Sequence, residues 1–204
     1  MIADLAPMVD RRYAQFHAGA VSFRRRGILL PGPRRCGKSV LTLGLLLKGG
    51  LYLSEDVAVL EHRSLRLMPY GDGVSLRSDA LSLFPEVVGL LTGIPADQDD
   101  DPYQQVAFTS PDRLGTGISL PCRVGMIVFP TFAAGVPSSE LVPLSAGQAV
   151  LRLLENGISL GADTGVDRGL DVVIALAKNA DSYSLRYCDA RDASETIVQR
   201  VNAG

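Results

Sequence analysis

The 204-residue sequence has no tryptophan, only three cysteines, two histidines and an aromatic content of 6%. The three cysteines, Cys36, Cys122 and Cys188, are odd in number and widely spaced. That spacing excludes a zinc knuckle and gives no disulfide framework. Lysine is also scarce: Lys38, Lys48 and Lys178 are the whole set, and the remaining basic charge is arginine. The net charge of −2 gives no global reason to expect a nucleic-acid partner. The longest apolar run, around Val40 to Leu47, is far too short to span a bilayer. No charged-then-apolar leader opens the chain, so a cytoplasmic protein with reduced thiols and no membrane partner is expected.

What is present is an ordinary globular composition, 47% hydrophobic and 21% charged. The length suits one domain over residues 1–204. Residues 1–15 read as a lead-in with a short helix. Ala20 to Phe23 and Gly27 to Leu30 read as strands joined by the basic turn "RRRG". The stretch "SVLTLGLLLKGG" reads as a helix stopped by its two glycines. Leu51 to Leu53 is a short strand, and Val57 to Leu60 with Leu65 to Pro69 form a hairpin. Asp79 to Leu91 reads as helical. Residues 92–105, "TGIPADQDDDPYQQ", are the most loop-like stretch and a candidate mobile lid. "CRVGMIVFP" and "YSLRYCDA" are strands. "LSAGQAVLRLLENG", "DRGLDVVIALAKN" and "RDASETIVQRV" are helices. The mixture is α/β, and the strand–loop–helix order near the start suggests a P-loop core.

One motif carries chemistry. "GPRRCGKS", Gly32 to Ser39, fits G-x-x-x-x-G-K-S. Its glycines let backbone N–H groups converge on phosphate oxygens at a helix N-terminus. Lys38 would reach the β/γ-phosphates and Ser39 would offer its hydroxyl to Mg²⁺. Nucleotide contacts are expected from Gly32, Arg34, Arg35, Cys36, Gly37, Lys38, Ser39 and Val40. Arg34 and Arg35 stand where small residues are usual, so they either reach the nucleotide or distort the loop. Cys36 is either an oxidisable thiol or a space-filling small residue. A phosphate loop also needs an acid for its metal, and "LYLSED" supplies Glu55 and Asp56 one helix and one turn after Lys38. "LSAGQ", Leu144 to Gln148, is similar to the signature of transporter-type ATPases. No apolar strand ending in Asp-Glu follows it, so Ser145 is read as a helix N-cap.

The order His17, "GILLPGPRRCGKS", "LLLKGG", "YLSED" resembles the catalytic domain of HPr kinase/phosphorylase and its smaller serine-kinase relatives. The strong part covers Phe16 to Leu60. The resemblance implies a P-loop fold of the HPr kinase/PEP-carboxykinase-like type, a mixed sheet with flanking helices. It implies a kinase dependent on ATP and Mg²⁺, with Ser39 and Asp56 on the metal, Glu55 as the base and His17 near the transferred phosphate. Arg77 in "VSLR" either neutralises charge at the phosphate or acceptor, or is a surface arginine.

Members of the family form hexamers, so a homo-oligomer is implied. The chain departs from the family at Glu55, where Asp is usual, and at Arg35, where the middle glycine stands. The extra methylene of Glu55 moves its carboxylate by about 1.5 Å. The family's "EVRG" acceptor signature and extra N-terminal domain are not found, so the acceptor expected is not HPr. The expected acceptor is a serine hydroxyl of a peptide or small protein, with a ribosomal precursor peptide of the lasso type as one candidate. A small-molecule kinase and a nucleotide-binding regulator are the alternatives.

Overall fold

The computed structural model describes residues 12–71, 73–77, 81–92, 106–160 and 166–203. The chain begins with a hairpin. Strand β1 (Tyr13–Phe23) turns through Arg24 and Arg25 into antiparallel β2 (Arg26–Pro31). The phosphate-loop stretch then leads into helix α1 (Lys38–Leu47). Strands β3 (Leu51–Ser54) and β4 (Val57–Glu61) return along β1, each antiparallel to it. Strand β5 (Arg66–Met68) pairs with β4 and with β8 (Cys122–Phe132).

Strand β8 runs parallel both to β2 and to β11 (Asp181–Tyr187). Strands β9 (Glu140–Pro143) and β10 (Gly157–Ser159) complete a nine-stranded mixed sheet. A separate two-stranded sheet joins β6 (Val74–Arg77) to β7 (Val106–Thr109). The remaining helices are α2 (Ala146–Glu155), α3 (Val166–Asn179) and α4 (Ala190–Ala203). The expected α/β class, a mixed sheet with flanking helices, is the observed one.

The central strands are buried on both faces, which is why they read as continuous apolar runs. Alternate residues feed two cores. Ile28 and Leu30 of β2, Met126 and Val128 of β8, and Tyr183 and Leu185 of β11 join α1 and α4. Leu29, Ile127 and Phe129 join Phe16 of β1 and the inner faces of α2 and α3. Helix α1 approaches α4 so closely that a Cβ on Gly44 would lie 2.2 Å from Ser194 Oγ. At the end of α1 the N–H groups of Lys48, Gly49 and Gly50 bond back to Leu45 and Leu46, with Gly49 at φ 91°. The two glycines thus stop the helix where the sequence says they should.

Some expectations fail. Residues 13–15 of the expected lead-in are strand: β1 already begins at Tyr13, because Ala14 and Phe16 are buried in the α2–α3 core. Within the 79–91 stretch Leu81 is helical, but Phe84, before Pro85, is non-helical (φ −135°, ψ 66°), and the described residues continue only as a short 3₁₀ turn, Pro85–Leu90. The helix expected over 144–157 ends at Glu155, and Gly157 enters β10. The candidate lid at 92–105 lies outside the described residues beyond Thr92, as does the lead-in before Arg12. Ser145 is the N-cap of α2: its hydroxyl accepts from Gln148 N–H while the Gln148 side chain accepts from Ser145 N–H, a complete capping box.

Candidate functional site

The parallel strands β2, β8 and β11 all point their C-terminal ends toward the phosphate-loop stretch, the end at which open α/β sheets place ligands. The loop spans Gly32 to Gly37 between Pro31 of β2 and Lys38 of α1. Gly37 sits at φ 94°, left-handed, at the N-cap of α1. A side chain there has no room: a Cβ would lie 1.7 Å from the Tyr187 hydroxyl. Arg35 occupies φ 68°, the left-handed conformation a glycine would take. Holding an arginine in that conformation costs about 1–2 kcal/mol locally.

Lys38 is buried, and its ammonium donates to the carbonyls of Gly32 and Pro33, each at 2.9 Å. Burial pushes its pKa down from the ordinary lysine value, although Cys36 and the two following acids pull the other way. Lys38 is thus folded over the mouth of its own loop, with its donors on carbonyls that phosphate oxygens can replace.

Behind the loop, Tyr187 at the end of β11 donates its hydroxyl to Cys36 O at 3.0 Å. Burial pushes the phenol pKa up, so it stays a donor through the neutral range. The sequence offered no motif for this contact, which depends on β11 running parallel to β8 and β8 to β2. Loss of one such bond costs about 1 kcal/mol. Tyr187→Phe is therefore expected to lower stability by about that much and to weaken nucleotide binding several-fold. Titration of a fluorescent ATP analogue beside a denaturant melt checks both numbers.

The acids arrive from β3. Ser54 ends the strand, and Glu55 and Asp56 follow at the bend into β4. The hydroxyl of Ser39 donates to the Glu55 carboxylate. Burial pushes the Glu55 pKa up, opposed by the Ser39 hydrogen bond. Asp56 instead faces His17, with His17 Nε2 2.8 Å from Asp56 Oδ1. Backbone bonds hold that pair against the loop: Ala18 N–H donates to Asp56 O, and Gly32 N–H donates to His17 O.

These groups open on one cavity of about 860 Å³, within the range usual for a bound small molecule. Of the residues singled out from the sequence, His17, Arg34, Arg35, Gly37, Lys38, Ser39, Val40, Glu55, Asp56 and Arg77 line it. Gly32 and Cys36 do not. The Cys36 sulfur fills the space beside Gly32, where a Cβ would come within 2.5 Å of it. Cys36 is thus the space-filling residue. The sequence reading also missed Phe132 of β8, which meets Tyr187 edge-on with ring centroids 5.9 Å apart, and Cys188, both on the cavity wall.

The thiols differ in a testable way. Cys188 is exposed, whereas Cys36 and Cys122 are buried with pKa values pushed up by that burial. Cys188 is expected to react with an aromatic disulfide reagent at least tenfold faster than the other two, and saturating ATP should slow it. Mass mapping that finds Cys36 labelled first would contradict the packing described.

Among the described residues no cluster of three or more His, Cys, Asp or Glu side chains could cage a metal. Ser39 beside one carboxylate fits a divalent cation that arrives with phosphate ligands. Mg²⁺ commonly takes one or two protein oxygens and completes its shell from phosphates and water.

Among solved structures the chain is similar to the HPr(Ser) kinase/phosphatase from Coxiella burnetii. The two share 15% identity over 93% of this chain and 96% of that chain, with a TM-score of 0.46. No family model matches the sequence, and no curated protein matches it. No helix among the described residues is long and apolar enough to cross a membrane.

Proposed function

We propose that the chain is an ATP- and Mg²⁺-dependent phosphotransferase that moves the γ-phosphate to a serine hydroxyl of a peptide or small protein. The observation that carries this reading is the meeting, in one cavity, of the Lys38 loop, the Ser39–Glu55 pair and the His17–Asp56 pair. Phosphoryl transfer asks for charge neutralisation, alignment and one proton acceptor, and these three groups can supply each in turn.

The hydrogen bonds favour a division of labour different from the one the family resemblance implies. Ser39, the hydroxyl that would meet the cation, is bonded to Glu55 and not to Asp56. We therefore assign the metal side to Ser39 and Glu55. Bound there with the nucleotide, the cation would neutralise charge on the β- and γ-phosphates. Lys38 would exchange its two loop carbonyls for phosphate oxygens. Asp56, with a side chain 62% exposed, is open to an incoming hydroxyl, and the imidazole of His17 orients it. Asp56 would take the hydroxyl proton, with Arg77, which lines the same cavity, beside the transferred group. The longer Glu55 suits this scheme, since its reach is used to meet Ser39.

A nucleotide-binding regulator without transfer, suggested by Glu55 and Arg35, is the alternative; Arg35 takes a left-handed backbone conformation that a glycine would also take. The acceptor class, a precursor-peptide role, a cytoplasmic location and a homo-oligomeric state belong to the same proposal. The test is Mg²⁺-dependent transfer of labelled γ-phosphate from ATP to serine-bearing peptides and small metabolites, including any precursor peptide encoded beside the gene. Label on a peptide that is absent with Lys38→Met supports the reading. ATP binding without transfer to any acceptor would move the assignment to a regulator, and transfer only to metabolites would move it to a small-molecule kinase.

A further inference from the structure

At the end of the sheet opposite the cavity, the sequence concentrates arginine. In the β2–β8 pair Arg26 stands opposite Arg123, and in the β5–β8 pair Arg123 stands opposite Arg66. Three like charges therefore lie in one row across three strands, at a strand spacing of about 4.8 Å. Directly opposed like charges destabilise a sheet. Relief within the fold is slight. Glu61 faces Arg66 at the end of the row, and Asp181 lies 3.8 Å from Arg26. Among the described residues no carboxylate pairs with Arg24, Arg25, Arg63 or Arg123.

The turn into this row is strained. Arg24 and Arg25 form the two-residue connection between Phe23 and Arg26, and both have positive φ, 48° and 66°. Such a turn favours Asn-Gly or Asp-Gly, which take those angles at little cost. Two exposed arginines there lose backbone stability and add charge beside Arg26. A strained conformation that the fold does not need points to a role outside the fold.

The patch also has a recess. Arg63 and Arg123, with Ser64, Leu65, Leu176 and Asn179, line a cavity of about 140 Å³. Ile118 and Leu120, on the segment that leads into Cys122 and Arg123 of β8, are 56% and 75% exposed and offer an apolar rim on the approach to the patch.

We propose that this surface, formed by Arg24, Arg25, Arg26, Arg63, Arg66 and Arg123, docks an acidic polypeptide segment carrying aliphatic side chains. Guanidinium forks pair with carboxylates in a two-bond geometry that a row of arginines can repeat. The recess accepts one side-chain carboxylate, and the aliphatic rim accepts its apolar neighbours. A nucleic-acid strand would leave that rim unused, and a lipid surface presents its charge as a plane rather than into a recess. The whole length of β2 separates the patch from the phosphate loop, about 17 Å at strand rise. Docking there leaves the nucleotide cavity open.

The full chain is titrated with a fluorescein-labelled peptide without hydroxyl side chains, Glu-Leu-Glu-Ala-Glu-Leu-Glu-Ala, in low salt, read by anisotropy. Saturating Mg-ATP is present throughout. Binding is expected to weaken at least about tenfold in Arg66→Ser/Arg123→Ser and to fall with added salt. The pair Arg24→Asn/Arg25→Gly separates docking from folding. It should weaken the peptide several-fold while raising the melting temperature, because it installs the favoured turn. Absence of peptide binding, binding indifferent to both variants, or a lower melting temperature in the turn variant would overturn the proposal. So would tighter binding of a single-stranded oligodeoxynucleotide or of phosphatidylserine vesicles than of the peptide.

Discussion

Lys38→Met is expected to raise the dissociation constant for ATP by at least about a hundredfold, the scale of losing a buried charge-assisted contact to phosphate, while leaving the fold in place. The two effects have separate causes. Among the described residues the ammonium is held by the carbonyls of Gly32 and Pro33. Methionine fills nearly the same volume but cannot meet a phosphate. For stability the sign runs the other way. A lysine whose folded pKa lies below its unfolded one destabilises the fold wherever it is charged. That cost is complete below the folded value and disappears as pH rises past the unfolded value. Removing the charge at neutral pH therefore offsets the lost hydrogen bonds, and net stability should change by no more than about 1–2 kcal/mol. Isothermal titration with ATP and a thermal melt of the same protein check both halves. A variant that still binds ATP normally would remove Lys38 from the phosphate site and with it the phosphotransferase reading.

The residues of the loop were legible because their chemistry is local. Gly37, Lys38 and Ser39 lie within one turn, and each is needed for a backbone or side-chain reason visible in eight letters. The acids were legible for a similar reason: one helix and one tight stop bring Glu55 back to Ser39. What could not be read was anything set by register between distant strands. Tyr187 reaches Cys36 only because β11 runs parallel to β8 and β8 to β2. The row Arg26–Arg123–Arg66 is likewise invisible in sequence, since its members are joined by pairing, not by spacing. The sequence pattern marks only Ala20 to Phe23 of β1 as strand, because Ala14 and Ala18 are weak strand formers, and their burial under α2 and α3 decides the matter instead. The division of roles between Glu55 and Asp56 could not be read either, because adjacent residues at a bend point to different partners.

That division makes the second large prediction. Asp56→Asn should bind Mg-ATP nearly as the parent does and lose roughly a thousandfold in transfer, the scale of a missing proton acceptor. Glu55→Gln should instead lower the affinity for Mg-ATP about tenfold while leaving metal-free nucleotide binding unchanged. The loss follows from Ser39, whose hydroxyl would no longer be held by a full negative charge. Mn²⁺ titrations followed by proton relaxation, with and without nucleotide, read the metal side without reference to activity. His17→Gln should lie between the two: it removes the 2.8 Å partner of Asp56, so transfer falls about tenfold and metal affinity stays. The opposite pattern, with metal binding lost in Asp56→Asn and transfer alone lost in Glu55→Gln, would restore the roles the family resemblance implies. It would also mean that the Ser39–Glu55 bond belongs to the nucleotide-free chain and breaks when the cation enters. The two assignments thus differ in which carboxylate moves on loading, and that can be measured before any acceptor is known.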